Sequence, residues 1–210
     1  MKKNVLTAIA VLVFGFVNAQ GVKFGAKVAL NIANLTGDIE NPSSLTGFQI
    51  GGFAEFKLSE KFAFQPELMY STQGTRKSYS GVIDNYNFSG ENKTKLSYLN
   101  LPLMLKYYFV PKFNIEFGPQ IGLLLSAKNV IDYDDVMDGT AYSGSTKIDI
   151  KDQITTVDFG LNFGAGYDFT EKISAGLRYN LGLSTIYDYE IASDPNVKNS
   201  VFSISVGYKF

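Results

Sequence analysis

The chain has 210 residues, which suits one domain, and its 19 basic and 20 acidic residues give a formal net charge of −1. This balance lacks the basic patch that nucleic-acid binding needs, and the absence of Cys excludes disulfides and thiolate metal sites. There is no His either, whereas Gly (20), Phe (17) and Tyr (13) are abundant. Sequences rich in aromatic residues and glycine favour all-β structure.

The N-terminus has the pattern of a secretory signal peptide. Two lysines precede the apolar residues 5–17, and the small residue Ala19 before Gln20 offers a cleavage site. The apolar segment is too short for a membrane helix, which needs about 18 consecutive apolar residues. We therefore expect residues 1–19 to be removed and residues 20–210 to form one barrel domain, with a net charge of −3 once both lysines are lost.

Eight segments alternate apolar with small or polar residues, which is the period of a β-strand. They are residues 22–30, 48–58, 62–70, 99–109, 113–125, 157–169, 173–183 and 202–210. Each has roughly the 9–13 residues with which a tilted strand crosses a bilayer. The sequence thus predicts an all-β fold, an eight-stranded antiparallel up-and-down transmembrane β-barrel. An even strand number places both termini on the periplasmic side, and the last strand is expected to pair with the first.

The predicted connections alternate between short and long. Short turns fall at residues 59–61, 110–112 and 170–172, and long connections at 31–46, 72–95, 126–153 and 188–198. The long connections are rich in Ser, Gly, Asn, Asp and Tyr, as exposed loops are. We therefore predict a short periplasmic rim and four surface loops, with 72–95 and 126–153 as the contact regions.

Aromatic residues mark both ends of the apolar faces and predict interfacial girdles. The periplasmic set is Phe56, Phe62, Tyr107, Phe109, Phe113, Tyr167, Phe169, Tyr208 and Phe210. The thinner opposite set is Phe48, Tyr70, Tyr187 and Phe202.

The other face of the strands carries many glycines together with six basic and five acidic residues. The charged residues are Lys23, Lys27, Glu55, Lys57, Glu67, Lys106, Glu116, Asp158, Asp168, Arg178 and Lys209. A narrow eight-stranded lumen needs small residues, because its interior is only wide enough for side chains to fill. Since removing one partner of a buried ion pair costs roughly 3–5 kcal/mol, we interpret the near-balance as a paired charge network in the lumen. Inward charges that admit ions, making a narrow transport barrel, are the alternative.

Several short motifs are shared with a known family. They are Gly21-Val-Lys-Phe-Gly-Ala-Lys-Val-Ala-Leu-Asn31, Gln65-Pro-Glu-Leu68, Tyr98-Leu-Asn-Leu-Pro-Leu103, Lys106-Tyr-Tyr-Phe109, Gly164-Ala-Gly-Tyr167 and the terminal Phe210. In these motifs, and over the whole of residues 20–210, the chain resembles the PorT-like family of outer-membrane β-barrel proteins. The resemblance implies this fold and location and no catalytic residue. One member contributes to protein secretion, so an accessory role in a secretion system is a further alternative. Tyr208 and Phe210 resemble the signal that the outer-membrane assembly machinery recognises.

The composition argues against an enzyme. Outer-membrane lipid deacylases, phospholipases, palmitoyl transferases and omptin proteases each need a His as base or proton relay, and this chain has none. A mechanism that uses only carboxylates, with Glu55, Glu67 and Glu116 as candidates, stays formally open. No cofactor is expected.

Two groups of residues in the predicted loops have alternative interpretations. Residues 132–138 hold four carboxylates, which suit either a solvated acidic loop or calcium, although the spacing fails the EF-hand pattern. The loop aromatics either form a binding surface or pack the loops together. These aromatics are Tyr79, Tyr86, Phe88, Tyr133 and Tyr142.

Three prolines lie inside predicted strands, where a missing N–H normally weakens the ladder. Folding the fourth and fifth strands about Pro111 places Pro102 opposite Gln120 and beside Pro119. This arrangement predicts a local gap in the ladder there. The gap makes either a soft seam in the barrel wall or a harmless missing hydrogen bond.

The sequence therefore predicts a small outer-membrane barrel with a structural or binding role. Its expected partners are the lipid bilayer, the assembly machinery and a protein bound through the loops.

Overall fold

The computed structural model describes residues 22–39, 42–84, 86–187 and 196–210. Within them, one antiparallel sheet has nine strands: β1 (Val22–Gly37), β2 (Ser43–Lys57), β3 (Phe62–Ile83), β4 (Tyr86–Val110), β5 (Phe113–Met137), β6 (Thr140–Asp149), β7 (Val157–Asp168), β8 (Ile173–Gly182) and β9 (Val197–Lys209). A 3-10 turn, Lys151–Gln153, follows β6. None of the helices in the described ranges is long and apolar enough to cross a membrane.

Eight of these strands close a ring. Its order is β1-β2-β3-β4-β5-β7-β8-β9, and β9 pairs back with β1 from Gly25↔Lys209 to Gly37↔Val197. The predicted eight-stranded antiparallel up-and-down barrel, closed by its terminal strand, is confirmed. We call the end of the barrel that carries the three short turns the short-turn end. β1 begins there and β9 ends there.

Alternation along each strand separates two environments. Outward side chains form an apolar belt, in which Phe24, Ile50 and Leu177 are each about half exposed. Inward neighbours are polar and buried, for example Gln65 and Asn162. An apolar outside around a polar inside reverses the arrangement of a soluble barrel and suits a barrel surrounded by lipid.

The long connections differ from their predicted loop character. β1 continues to Gly37 and β2 begins at Ser43, so little of residues 31–46 remains as a loop. Residues 72–95 and 126–153 are mostly strand. The end of β3, the start of β4, the end of β5 and β6 extend as arms that pair with each other residue for residue. The tight turns between the arms place Asp84 (φ 51°) and Asp138 (φ 47°) in the left-handed region, which Asp tolerates. The fourth predicted long connection is residues 188–198, and its residues 188–195 lie outside the described residues.

The extended arms form a four-stranded sheet beyond the ring, at the end opposite the short turns. We call this the outer sheet and define it as residues 75–83, 86–96, 127–137 and 140–149. β6 takes the place of β7 beside β5, and a register shift between Ser97 and Tyr98 marks where the sheet leaves the ring. A strand of ten residues spans about 33 Å, so the outer sheet rises well above the barrel.

An apolar cluster, the lumen cap, fills the same end of the barrel interior. Its members are all at most 3% exposed: Leu35, Leu96, Tyr98, Leu124, Ala127, Ile154, Ile186 and Val197. Tyr187 packs against this cluster, so its predicted place in the outward girdle is wrong. The chain leaves β8 after Gly182 and turns towards the interior, where Tyr187 forms a bridge with Ile154.

The prolines lie where the ladders are interrupted. Pro102 pairs with Gln120 as predicted, and the β4–β5 ladder then omits residues 103–104 before resuming at Leu105↔Phe117. Comparable gaps occur at residues 67–68 between β3 and β4 and at residues 65–66 between β2 and β3. The gaps are therefore adjacent in space, and the softness of this seam stays a prediction.

Candidate functional site

Ion pairs fill the lumen near the short-turn end. Lys209 Nζ lies 2.8 Å from Glu55 Oε1 and 3.5 Å from Asp168 Oδ1, and Lys106 Nζ lies 3.1 Å from Glu55 Oε2. The Tyr108 hydroxyl donates to Asp168 at 3.2 Å and to Glu55 at 3.4 Å. Two cations and two anions make this first quartet electrically neutral.

A second neutral quartet lies deeper in the lumen. Arg178 donates from Nε to Glu116 Oε1 at 2.7 Å and from both terminal nitrogens to Glu67, at 2.8 and 2.9 Å. Lys27 Nζ pairs with Glu67 from the other side. All four side chains are at most 11% exposed. The guanidinium therefore links three strands, because β8 carries Arg178, β3 carries Glu67 and β5 carries Glu116.

Uncharged polar groups occupy the next level of the lumen. Asn180 donates to Asn162 at 3.1 Å, and Asn162 donates to Gln120 at 3.2 Å. On the opposite wall, Asn31 donates to the Ser71 hydroxyl at 3.1 Å. Above these amides lies the lumen cap, so each level of the interior is filled by side chains.

Three of the eleven predicted network residues lie elsewhere. Lys23 and Lys57 are exposed and line an open cavity of about 790 Å³ at the short-turn end, with no ion pair among the described residues. Asp158 is buried, and no cation of the described residues pairs with it. Its carboxylate accepts hydrogen bonds from Ser184 Oγ at 2.9 Å and from Asn199 Nδ2 at 3.2 Å. The predicted charge pairing in the lumen is wrong for these three residues, because the alternation that places a side chain inward does not give its depth along the barrel.

The three carboxylates considered for catalysis are all engaged by cations. Glu55 contacts two lysines, Glu67 contacts Lys27 and Arg178, and Glu116 contacts Arg178. A carboxylate held between cations is a poor proton acceptor, since the cations stabilise its ionised form. The geometry therefore suits structural pairing.

The carboxylates of residues 132–138 do not converge. Alternation along β5 places Asp132 and Asp134 on one face of the outer sheet and Asp135 on the other, while Asp138 lies in the turn. Within the described ranges no group of three potential metal-binding acids comes together.

Register divides the outer sheet into two unlike faces. All five predicted loop aromatics lie on one of them, which we call the aromatic face: Tyr79, Tyr86, Phe88, Tyr133 and Tyr142. This face continues the lumen-facing side of β3, β4 and β5. The opposite face, the charged face, continues the lipid-facing side and carries most of the ionised residues of the sheet, including Arg76, Glu91, Lys93, Asp132 and Lys147.

A row of ion pairs crosses the charged face. Lys93 lies 2.6 Å from Glu91 and 3.0 Å from Asp132, and Arg76 lies 3.2 Å from Glu91. The hydrogen bond from Lys93 lowers the pKa of Glu91 below its ordinary value. Hydrogen bonds from Ser145 and then Lys93 lower the pKa of Asp132 in the same way.

The aromatic face has its own fixed geometry. The Tyr86 and Phe88 rings stack with centroids 5.8 Å apart, and the Tyr86 hydroxyl donates to Asp135 at 2.7 Å. That hydrogen bond to a carboxylate raises the pKa of Tyr86. Tyr79, Tyr133 and Tyr142 are 39%, 38% and 55% exposed. The predicted contact regions thus form one organised sheet rather than separate loops.

The sequence contained one signal for this sheet. Asp138-Gly139 between two arms of equal length is a strong hairpin pattern, and it joins β5 to β6. The lumen cap has no comparable signal, because its members come from strand ends and connections that converge only in the fold.

Comparisons with known proteins agree with this architecture. The family model described as "Outer membrane protein beta-barrel domain" matches residues 18–188. No curated protein matches the chain in sequence.

Solved structures of other proteins are similar to this chain, at low sequence identity and with TM-scores below 0.5. The attachment invasion locus protein Ail of Yersinia pestis is 11% identical with a TM-score of 0.44, over 91% of this chain and 100% of Ail. Neisserial surface protein A is 14% identical with a TM-score of 0.41, over 91% and 98%. CarO2 of Acinetobacter baumannii is 11% identical with a TM-score of 0.42, over 91% and 100%. Since the family model covers most of the present chain, this protein belongs to the outer membrane protein beta-barrel domain family.

Proposed function

We propose that this protein is a surface-binding protein of the outer membrane, in which a filled barrel anchors the outer sheet and the outer sheet makes the contacts. The observation that carries the proposal is the contrast between the two parts. The lumen is occupied by neutral quartets, amides and an apolar cap, whereas the outer sheet presents exposed aromatic side chains. Exposed aromatic residues on a rigid support favour recognition.

The lumen residues act in this proposal as a scaffold. Each quartet joins several strands across the interior, so the barrel wall resists deformation when a partner bound to the outer sheet pulls on it. Lys23 and Lys57 lie outside the quartets and contribute to the periplasmic mouth.

The lumen cap argues against transport, the alternative function. Its members are nearly inaccessible to solvent, and an apolar constriction excludes hydrated ions. Planar-bilayer recording of the purified protein tests this directly, and we expect no steady conductance. A steady current that is abolished by Arg178→Glu or Glu116→Lys would support transport and refute the anchor role.

We further infer that residues 1–19 are a leader removed between Ala19 and Gln20, a segment outside the described residues. Tyr208 and Phe210 are proposed as the assembly signal: Phe210 is 77% exposed at the end of β9, and its ring packs edge-on against Tyr208 at 5.8 Å. The PorT-like resemblance gives an alternative to this proposal, in which the protein is an accessory component of a secretion system.

Site-specific photo-crosslinking in intact outer membranes tests the binding role. A photoreactive residue at position 142 reports on the aromatic face, and one at position 177 on the apolar belt provides the matched control. We expect a reproducible non-lipid adduct at position 142 and only lipid adducts at position 177. Identical adducts at both positions, or no adduct on the outer sheet, would refute the proposal.

A further inference from the structure

We propose that the aromatic face of the outer sheet binds an uncharged extracellular polysaccharide, whose sugar rings stack on Tyr79 and Tyr133. This inference rests on the proposed function and specifies its ligand.

Three rings on this face each lie over a glycine of the neighbouring strand. The directly opposed pairs are Phe88 over Gly81, Tyr79 over Gly90 and Tyr133 over Gly144. A Cβ added at any of these glycines would overlap ring atoms. The rings therefore lie along the sheet rather than standing away from it. Tyr79 and Tyr133, which are 39% and 38% exposed, keep the ring side away from the backbone open to solvent.

Two of these units share one row of the sheet. Tyr79, Gly90, Tyr133 and Gly144 pair in sequence across β3, β4, β5 and β6. The two tyrosines are two strands apart, which corresponds to about 10 Å. The row is thus a flat strip with two exposed ring faces, and an extended chain of sugar rings is a ligand that can span both.

Ring chemistry favours sugars on such a strip. The face of an aromatic ring carries negative charge density, and the C–H groups on the flat side of a pyranose are weakly positive. The next row of this face holds Asn92 and Thr146, whose side chains can exchange hydrogen bonds with hydroxyls.

Charge selects an uncharged ligand. Among the paired residues of the aromatic face, the ionised ones are Lys77 and Asp135, and Asp135 already accepts a hydrogen bond from Tyr86. The charged face, by contrast, holds a row of ion pairs. A polyanion or polycation finds little counter-charge beside the stacked rings.

The orientation of the aromatic face favours a free polysaccharide from outside the cell over the sugars of membrane lipids. The aromatic face continues the lumen-facing side of the strands and so looks over the barrel mouth, whereas the charged face is turned towards the surrounding membrane surface. Sugars attached to neighbouring lipids therefore meet the charged face, and a free polysaccharide approaching from outside meets the aromatic face.

The test is binding of the purified full-length protein, in detergent micelles, to immobilised polysaccharides. Dextran, mannan, a linear β-glucan and a galactan are the uncharged probes, and dextran sulfate is the charged counterpart of dextran. We expect at least one uncharged probe to bind. Tyr79→Ala and Tyr133→Ala should each weaken that binding by about tenfold, the loss of one stacked ring. Tyr79→Phe keeps the ring and should bind like the native protein, as should Lys93→Ala on the charged face.

Three results would overturn the inference. They are no binding of any uncharged probe, binding by the Tyr79→Ala and Tyr133→Ala variants that is as tight as that of the native protein, or a preference for dextran sulfate that Lys93→Ala abolishes. A folded-state gel shift on each variant separates loss of the ligand site from loss of the barrel. If every polysaccharide fails while position 142 still crosslinks to a protein, the ligand class is wrong and the proposed function stands. If position 142 gives no adduct either, both are refuted.

Discussion

Removing Arg178 from the deeper quartet should leave one buried negative charge without compensation. In Arg178→Met, Glu67 keeps Lys27, but Glu116 loses its ion-pair partner among the described residues. The Glu116 side chain is 7% exposed, so water cannot readily replace the guanidinium. Breaking one side of a buried pair costs about 3–5 kcal/mol, and we expect the unfolding free energy to fall by that amount.

A second substitution tests whether charge balance is the cause. Glu116→Gln alone leaves the quartet with one excess positive charge, whereas the double variant Arg178→Met/Glu116→Gln is neutral again. We therefore expect the double variant to be more stable than the sum of the single losses predicts, by a coupling energy of about 1–3 kcal/mol. Lys57→Met is the control, because replacing an exposed lysine that has no ion pair in the described part of the chain should change stability by less than about 0.5 kcal/mol.

Urea titration of protein refolded into lipid vesicles measures these differences. The chain has no Trp, so folded and unfolded fractions are better separated by gel mobility of unheated samples and by far-ultraviolet circular dichroism. Additive effects of the two substitutions would refute the reasoning, as would an Arg178→Met variant as stable as the Lys57→Met control.

Three other outcomes are expected. Gly164→Ala places a Cβ 2.7 Å from the Leu177 carbonyl oxygen and 2.8 Å from Glu116 Oε1 and should cost about 1–3 kcal/mol, whereas Gly52→Ala meets only a carbonyl at 3.5 Å and should be nearly neutral in the same urea titration. Because Glu91 has a lowered pKa, its pairing with Lys93 stabilises the outer sheet above the ordinary value of 4.5 and is lost as the pH falls through the folded-state pKa. Intrinsic-rate-corrected amide exchange in residues 86–96 should therefore accelerate below about pH 4, and constant protection down to about pH 3 would contradict this. At the proline seam, amides of residues 103–104 should exchange faster than their neighbours in micelles, and uniform protection across residues 99–122 would remove the seam.

The barrel strands were predictable because lipid and lumen impose opposite chemistry on alternate residues. The outer sheet was not, because both of its faces meet water and the alternation of hydrophobicity fades there. Ser80 opposite Ser89 illustrates this: the pair is regular in register but carries no apolar signal. Composition alone therefore indicated loops where the chain continues in paired strands.

The lumen shows a second limit of the sequence. The alternation of residues along the strands identified the inward charges, but it gave neither their depth along the barrel axis nor their ion-pair partners. Arg178 reaches Glu67 across 111 positions and Glu116 across 62, and those contacts depend on the stagger of the closed ring. Asp158 lies at the level of Asn199 and Ser184, beyond the reach of the cations, so its pairing could not follow from a count of charges.

The position of the lumen cap connects the barrel to the outer sheet. β4 and β5 continue beyond the ring where β7 and β8 end, so the inner side of these two strands would meet water at that point. Leu96 and Leu124 cover it by packing in one cluster with Leu35 and Val197, which come from the opposite wall. The cluster therefore closes the lumen and also fixes the base of the outer sheet against the barrel. A sheet held in this way loses little conformational freedom when a ligand binds, which is the advantage of a recognition surface built on paired strands.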